Sequence, residues 1–182
     1  FSNSSVIHAR KRRSFRGTYE ITCQLETNPV YPWTPAPHVP VLFIGEAPGE
    51  EEDKQGIPFV GRSGQLLRKW ARDAGLETRY ALANVELHRP YDLDPQGNRI
   101  NLNRTPTEQE IATHAPFLKR FIERLEPAVI ICVGGTAAQV YGFKGTVGRM
   151  VGRWKDLNGI PITTIYHPSF FLRPMAKAKR EE

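Results

Sequence analysis

Val41-Leu42-Phe43-Ile44-Gly45-Glu46-Ala47-Pro48-Gly49-Glu50-Glu51-Glu52-Asp53 reads as an apolar strand that stops in a glycine-bracketed turn and runs into four consecutive carboxylates. The run from Val39 to Ile44 has the length and character of a buried strand. Gly45 and Gly49 carry no Cβ, so the backbone there can approach a ligand closely, beside strong acceptors and bases. Strand, glycine turn and polar cluster in that order mark the carboxyl edge of an α/β sheet, where ligands bind. An acidic surface loop after a strand has the same local composition, so the rest of the chain decides between them.

Downstream, strands and helices alternate. Residues 63–74 place Leu66, Leu67, Trp70, Ala71 and Ala74 on one helical face, with Gly75 as the stop. Residues 80–85 read as a second strand. Thr105, Pro106 and Glu108 have the pattern of a capped helix start, followed by Ile111, Ala115, Leu118, Ile122 and Leu125 at helical spacing. A third strand over 128–133 runs into Gly134-Gly135-Thr136 and a short helix to Tyr141. A fourth, over 160–166, ends at His167-Pro168-Ser169. The alternation predicts a three-layer α/β/α fold with a central four-stranded, mostly parallel sheet. Three regions are expected: an extended N-terminal segment at 1–38, the α/β domain at 39–176 and a charged tail at 177–182.

The chain has 182 residues, 40% hydrophobic and 24% charged, as expected for one globular domain with a real core. No apolar stretch is long enough to span a bilayer. Two cysteines, Cys23 and Cys132, are too few for a disulfide scaffold and fit a reducing intracellular compartment, cytoplasm or nucleoid. Net charge is +6 with a pI near 9.5, which favours polyanionic partners. The excess gathers in a basic arm, Arg10, Lys11, Arg12, Arg13 and Arg16, and in Lys177, Lys179 and Arg180. Such arms touch phosphates in some proteins and are solvated tails in others.

In a parallel sheet the strand ends Gly45–Gly49, Asn84, Gly134-Gly135-Thr136 and His167-Pro168-Ser169 lie side by side. Phe59, in Ile57-Pro58-Phe59-Val60-Gly61, follows closely enough to fold back over the first of them. An amide, an aromatic ring and a histidine together suit a planar base with carbonyl and imide edges: Asn84 supplies a donor and an acceptor, Phe59 a stacking face, His167 a donor where charge develops. Singly, each also fits a structural role: Asn84 as a turn former, Phe59 as core, His167 as a packed histidine.

Gly45-Glu46-Ala47-Pro48-Gly49-x-x-Glu52-Asp53, followed by Gly56-x-Pro58-Phe59-Val60-Gly61-Arg62-Ser63-Gly64, resembles the family-4 uracil-DNA glycosylases. So do Asn84-Val85, Asn103-Arg104-Thr105-Pro106-Thr107 and His167-Pro168-Ser169, in order over most of the chain. The resemblance implies an enzyme that flips uracil out of DNA and hydrolyses its N-glycosidic bond, leaving an abasic site for base excision repair. On that reading Phe59 stacks on uracil, Asn84 reads its Watson–Crick edge and His167 stabilises the uracil anion. Glu46 holds the attacking water or offsets charge on the sugar, and Gly45, Ala47, Pro48 and Gly49 line the substrate site. Arg62, Ser63, Ser169, Leu172 and Arg173 contact DNA, with Leu172 as the wedge. A better-known family of these enzymes places an aspartate where Ala47 stands.

The chain also departs from the family. Family members hold a [4Fe–4S] cluster on four cysteines, whereas here Glu20, Cys23, His88 and His114 occupy those positions. One thiolate does not hold such a cluster, so none is expected; the four residues are instead a chemically sensible zinc set, or else a vacant site in which both histidines are simply packed. A related covalent-trapping group carries a histidine where Asn103 stands, so covalent capture of uracil is not expected. The loop over 91–102 is longer than the family leads one to expect. The expected partner is uracil-containing DNA, single- or double-stranded, with no membrane, the chain acting as a monomer or as part of a larger replication or repair protein. Two other readings stay open: a non-catalytic DNA-binding module of the same fold associated with replication, and a glycosylase for another modified pyrimidine.

Overall fold

The computed structural model describes residues 27–172. In chain order its elements are β1 (Val41–Gly45), α1 (Glu50–Gln55), α2 (Arg62–Asp73), β2 (Tyr80–Asn84), β3 (Asp92–Leu93) and β4 (Arg99–Ile100). There follow α3 (Glu108–Leu125), β5 (Val129–Val133), α4 (Gly135–Val140), α5 (Val147–Met150), β6 (Trp154–Leu157), β7 (Ile160–Ile165) and α6 (Ser169–Leu172). No helix among the described residues is long and apolar enough to cross a membrane.

The central sheet has the order β2-β1-β5-β7-β6. Its first four strands are the parallel set expected from the sequence. The fifth, β6, is an antiparallel edge that pairs with β7 through the tight Asn158-Gly159 turn. Its exposed Trp154-Lys155-Asp156 stretch carries no buried-strand pattern, which is why it does not stand out in the sequence. The chain steps from β1 to β2 on one side and then crosses back over β1 to β5. That reversal of direction opens a crevice outside the carboxyl ends of β1 and β5.

Alternation of side chains along each strand feeds two cores. Leu42, Ile44, Ala81, Ala83, Ile130 and Cys132 face one side, under Leu118, Ile122 and Leu125 of α3 and Ala137 and Ala138 of α4. Val41, Phe43, Tyr80, Leu82 and Val133 face the other, under Leu67 and Ala71 of α2. Leu42, Ile44, Leu67 and Ile130 are at most 1% exposed, and each such side chain contributes roughly 1.5–3 kcal/mol by leaving water. Burial pushes the Cys132 thiol up to about 12, so it stays a protonated core residue. Ahead of β1, Trp33 pairs with Leu82 and the Val30 amide donates to the Leu87 carbonyl, extending the β2 edge.

Two local expectations are corrected. Helix α3 is capped by Thr107 with Glu110 as its box partner, two residues later than the Thr105–Glu108 pattern. Arg104 decides the register, because it binds both oxygens of Glu110 and also Asp92. The long loop over 91–102 is a small hairpin, β3 against β4, with the Asp94 carboxylate accepting from the Gln96 and Asn98 amides at its turn.

Candidate active site

A cavity of about 340 Å³ opens at the carboxyl edge of the sheet. Glu46 and Ala47 reach it from the end of β1, Asn84 from the end of β2 and His167 from the end of β7. Phe59 and Arg62 reach it from the turn into α2. Gly45 lies beside Asn84 in the strand register, directly beneath this group. A Cβ on Gly45 would stand 2.5 Å from Asn84 Oδ1 and 2.5 Å from Phe59 Cζ. The amide and the ring therefore close over bare backbone, and only glycine leaves them room.

Phe59 is held in an unusual conformation. Its φ is +57, in the left-handed region, and it is only 6% exposed. Such a backbone costs of order 1–3 kcal/mol and persists only when its surroundings over-determine it. Here Arg68 donates Nε to the Phe59 carbonyl and Nη2 to the Pro58 carbonyl, both at 2.9 Å. From the other side the Glu52 carboxylate accepts from the Val60 amide at 2.9 Å and the Gly61 amide at 2.8 Å. It also accepts from the Gly49 amide at 3.2 Å. One carboxylate thus ties the turn after β1 to the turn that carries Phe59. Gly64 completes the arrangement, since a Cβ there would meet the Phe59 carbonyl carbon at 2.1 Å.

His167 is oriented from two directions. Its Nδ1 lies 2.7 Å from Ser169 Oγ and accepts from the Ser169 amide at 3.2 Å. A backbone amide can only donate, so Nδ1 is the acceptor and the neutral ring carries its proton on Nε2. Gly134, at φ +96, lets the β5 turn pass close under the ring; a Cβ there would sit 3.2 Å from His167 Cβ.

Of the sequence-predicted residues, Glu46, Ala47, Gly49, Phe59, Arg62, Ser63, Asn84 and His167 all line this one cavity. Pro48 is buried beneath the turn and does not line it. Gly45 forms the floor, and Ser169 acts on His167 rather than on the cavity. Leu172 is half-buried, while Phe170 and Phe171 beside it are 58% and 56% exposed. Arg173, Glu20 and Cys23 lie outside the described residues. Asn103 is turned away, its Oδ1 accepting from Arg89 Nε at 2.7 Å. The sequence reading gave no role to Glu52, Arg68 or Gly64. Glu52 had a visible signal, an acid in the first turn of the helix that opens at Gly49, whereas nothing local marks Arg68.

A second polar cluster stands apart from the cavity. Glu86, 2% exposed, has His114 Nδ1 at 2.9 Å from one carboxylate oxygen and His88 Nδ1 at 3.4 Å from the other. Burial works to raise the Glu86 carboxyl. The His114 ring, the His88 ring and the His88 amide outweigh it and hold the carboxyl below its ordinary value. The same hydrogen bond raises His114, against the effect of burial. One donor atom from each of the three residues lies within 4.8 Å of the other two.

A family model described as the uracil DNA glycosylase superfamily matches residues 32–182, and the chain belongs to that superfamily. Within it, the chain is similar to type-4 enzymes. It is 39% identical to the type-4 uracil-DNA glycosylase of Thermotoga maritima over 73% of this chain and 66% of that protein. It is 32% identical to that of Archaeoglobus fulgidus, over 78% of this chain and 71% of that one. A third, from Sulfurisphaera tokodaii, is 39% identical over 61% of this chain and 46% of its own length.

Proposed function

We propose that this chain excises uracil from DNA, hydrolysing the N-glycosidic bond and leaving an abasic site. The observation that carries the reading is the meeting of Phe59, Asn84 and His167, from three separate chain segments, over the bare backbone of Gly45. A uracil flipped into the cavity stacks on Phe59, and the Asn84 amide pairs with its O4 and N3–H. As the glycosidic bond lengthens, negative charge gathers on the base, chiefly at O2. The His167 Nε2–H donates to that oxygen, and its fixed aim is what makes the donation catalytic. Glu46, half-buried at the mouth of β1, orients the water or offsets positive charge on the sugar. Ala47 offers no second carboxylate, so the water is activated weakly and departure of the base dominates the barrier.

DNA is the natural partner of such a cavity. Arg62 and Ser63, in the first turn of α2, face the incoming strand, where free helix amides and a guanidinium favour phosphate. The apolar turn Phe170-Phe171-Leu172, with Arg173 after it, fills the gap left by the extruded base.

The cofactor of the type-4 enzymes does not fit the described donors. A [4Fe–4S] cluster needs thiolates, whereas the positions held by His88 and His114 present imidazoles around a buried carboxylate. Zinc suits that chemistry, with Glu20 and Cys23 as the two further ligands the sequence offers.

Release of free uracil from a deoxyuridine-containing oligonucleotide tests the central reading. Tight DNA binding without base release would instead make the chain a DNA-binding module.

A further inference from the structure

We propose that Glu86, His88 and His114 form a self-sufficient binding site for one zinc-class divalent cation, and that this cation braces the Asn84 strand end against α3. The proposal deepens the zinc reading above: Glu86, which the sequence did not point to, completes a site that needs neither Glu20 nor Cys23.

One donor atom from each of Glu86, His88 and His114 lies within 4.8 Å of the other two, a span a single cation can bridge. Each imidazole faces its own oxygen of one carboxylate, at 2.9 Å for His114 and 3.4 Å for His88. Ligands about 2.0–2.1 Å from a tetrahedral zinc stand roughly 3.3 Å apart, close to both spacings. The two rings lie 5.1 Å apart at 44°, converging on the carboxylate rather than stacking. His88 Nδ1 is buried, 3.4 Å from the Glu86 carboxylate, and makes no well-formed hydrogen bond among the described residues. A buried nitrogen held this way is costly to leave unsatisfied, and a cation removes that cost. Imidazole and carboxylate are ligands that zinc accepts together.

The location gives the cation a consequence. The Glu86 amide donates to the Glu46 carbonyl at 3.0 Å, and the Val85 amide to the Gly45 carbonyl at 3.0 Å. Glu86 is therefore stitched to the strand end that carries Glu46, two residues beyond Asn84, while His114 belongs to α3. None of the three ligands lines the base cavity. The role is structural: the cation joins strand end to helix.

The test uses the full chain without DNA, so its failure and the failure of the excision reading are separable. Protein stripped with a chelator is titrated with zinc chloride, and a parallel sample with cobalt(II). The proposal expects one zinc per chain, a rise in melting temperature on loading, and the strong visible bands of four-coordinate cobalt. Glu86→Gln and His114→Ala should each weaken zinc binding at least tenfold. Substoichiometric zinc with featureless cobalt spectra overturns the site. So does undiminished zinc affinity in a folded His114→Ala variant. Should both variants fail to fold, the wild-type stoichiometry and cobalt spectrum decide alone.

Discussion

The Glu52 carboxylate lies 2.8 Å from the Gly61 amide, so a side chain on α1 sets the turn that presents Phe59 to the cavity. Glu52→Ala strands three amides, of Gly49, Val60 and Gly61. We expect a loss of about 1–3 kcal/mol in denaturant melts, together with at least a tenfold fall in uracil excision. Glu52→Gln, which keeps one acceptor oxygen, should fall between. Wild-type excision in a folded Glu52→Ala variant would remove Glu52 from the account.

Gly45→Ala separates packing from chemistry. The added methyl meets Asn84 Oδ1 and Phe59 Cζ, each at 2.5 Å, so the amide and the ring must part. Excision should fall at least a hundredfold, mostly through the bound base, because the misplacement acts on the positioned groups. Steady-state kinetics alongside a thermal melt measures both.

Much of this was legible in the sequence. The strand-and-glycine run at Val41–Gly49 announced the sheet edge, and strand order placed Asn84 and His167 beside it. What could not be read was held by contacts between distant segments. Arg68 reaches back to Pro58 and Phe59 across a helical turn, and Glu86 meets His114 across 28 positions. Nothing in a local pattern encodes such pairs. The cap of α3 was misplaced for a similar reason, since Arg104 recruits Glu110 over the nearer Glu108.

His167 and Ser169 should differ in severity. His167→Ala removes the donor to the developing anion, with an expected loss of about a hundred- to a thousandfold in kcat. Ser169→Ala removes only the hydroxyl at 2.7 Å and leaves the backbone amide on Nδ1, so a loss of roughly three- to tenfold is expected. Equal losses in the two variants would mean that the ring is not the acting group.

Acid should loosen the start of α3. The bidentate Arg104 pair holds the Glu110 carboxyl at about 2 against an ordinary 4.5, with burial opposing and the Thr107 amide and hydroxyl assisting. A depressed folded value stabilises above the unfolded one, and that stability is lost as pH falls from about 4.5 towards about 2. Because the pair is partly solvated, its worth is of order 1 kcal/mol. Urea melts of wild type and Glu110→Gln should differ near neutrality and converge at the acid end of that window. A difference that stays constant across it would assign the effect to the cap alone.

The most direct measurement is base release from a single-deoxyuridine oligonucleotide by the purified chain, run beside Asn84→Ala and beside the matching thymidine and cytidine strands. The account predicts free uracil and an abasic site from the deoxyuridine strand only, with Asn84→Ala reduced at least a hundredfold by loss of its two hydrogen bonds to the base. No uracil release from either single- or double-stranded substrate would contradict it, as would an Asn84→Ala variant that excises as fast as the wild type.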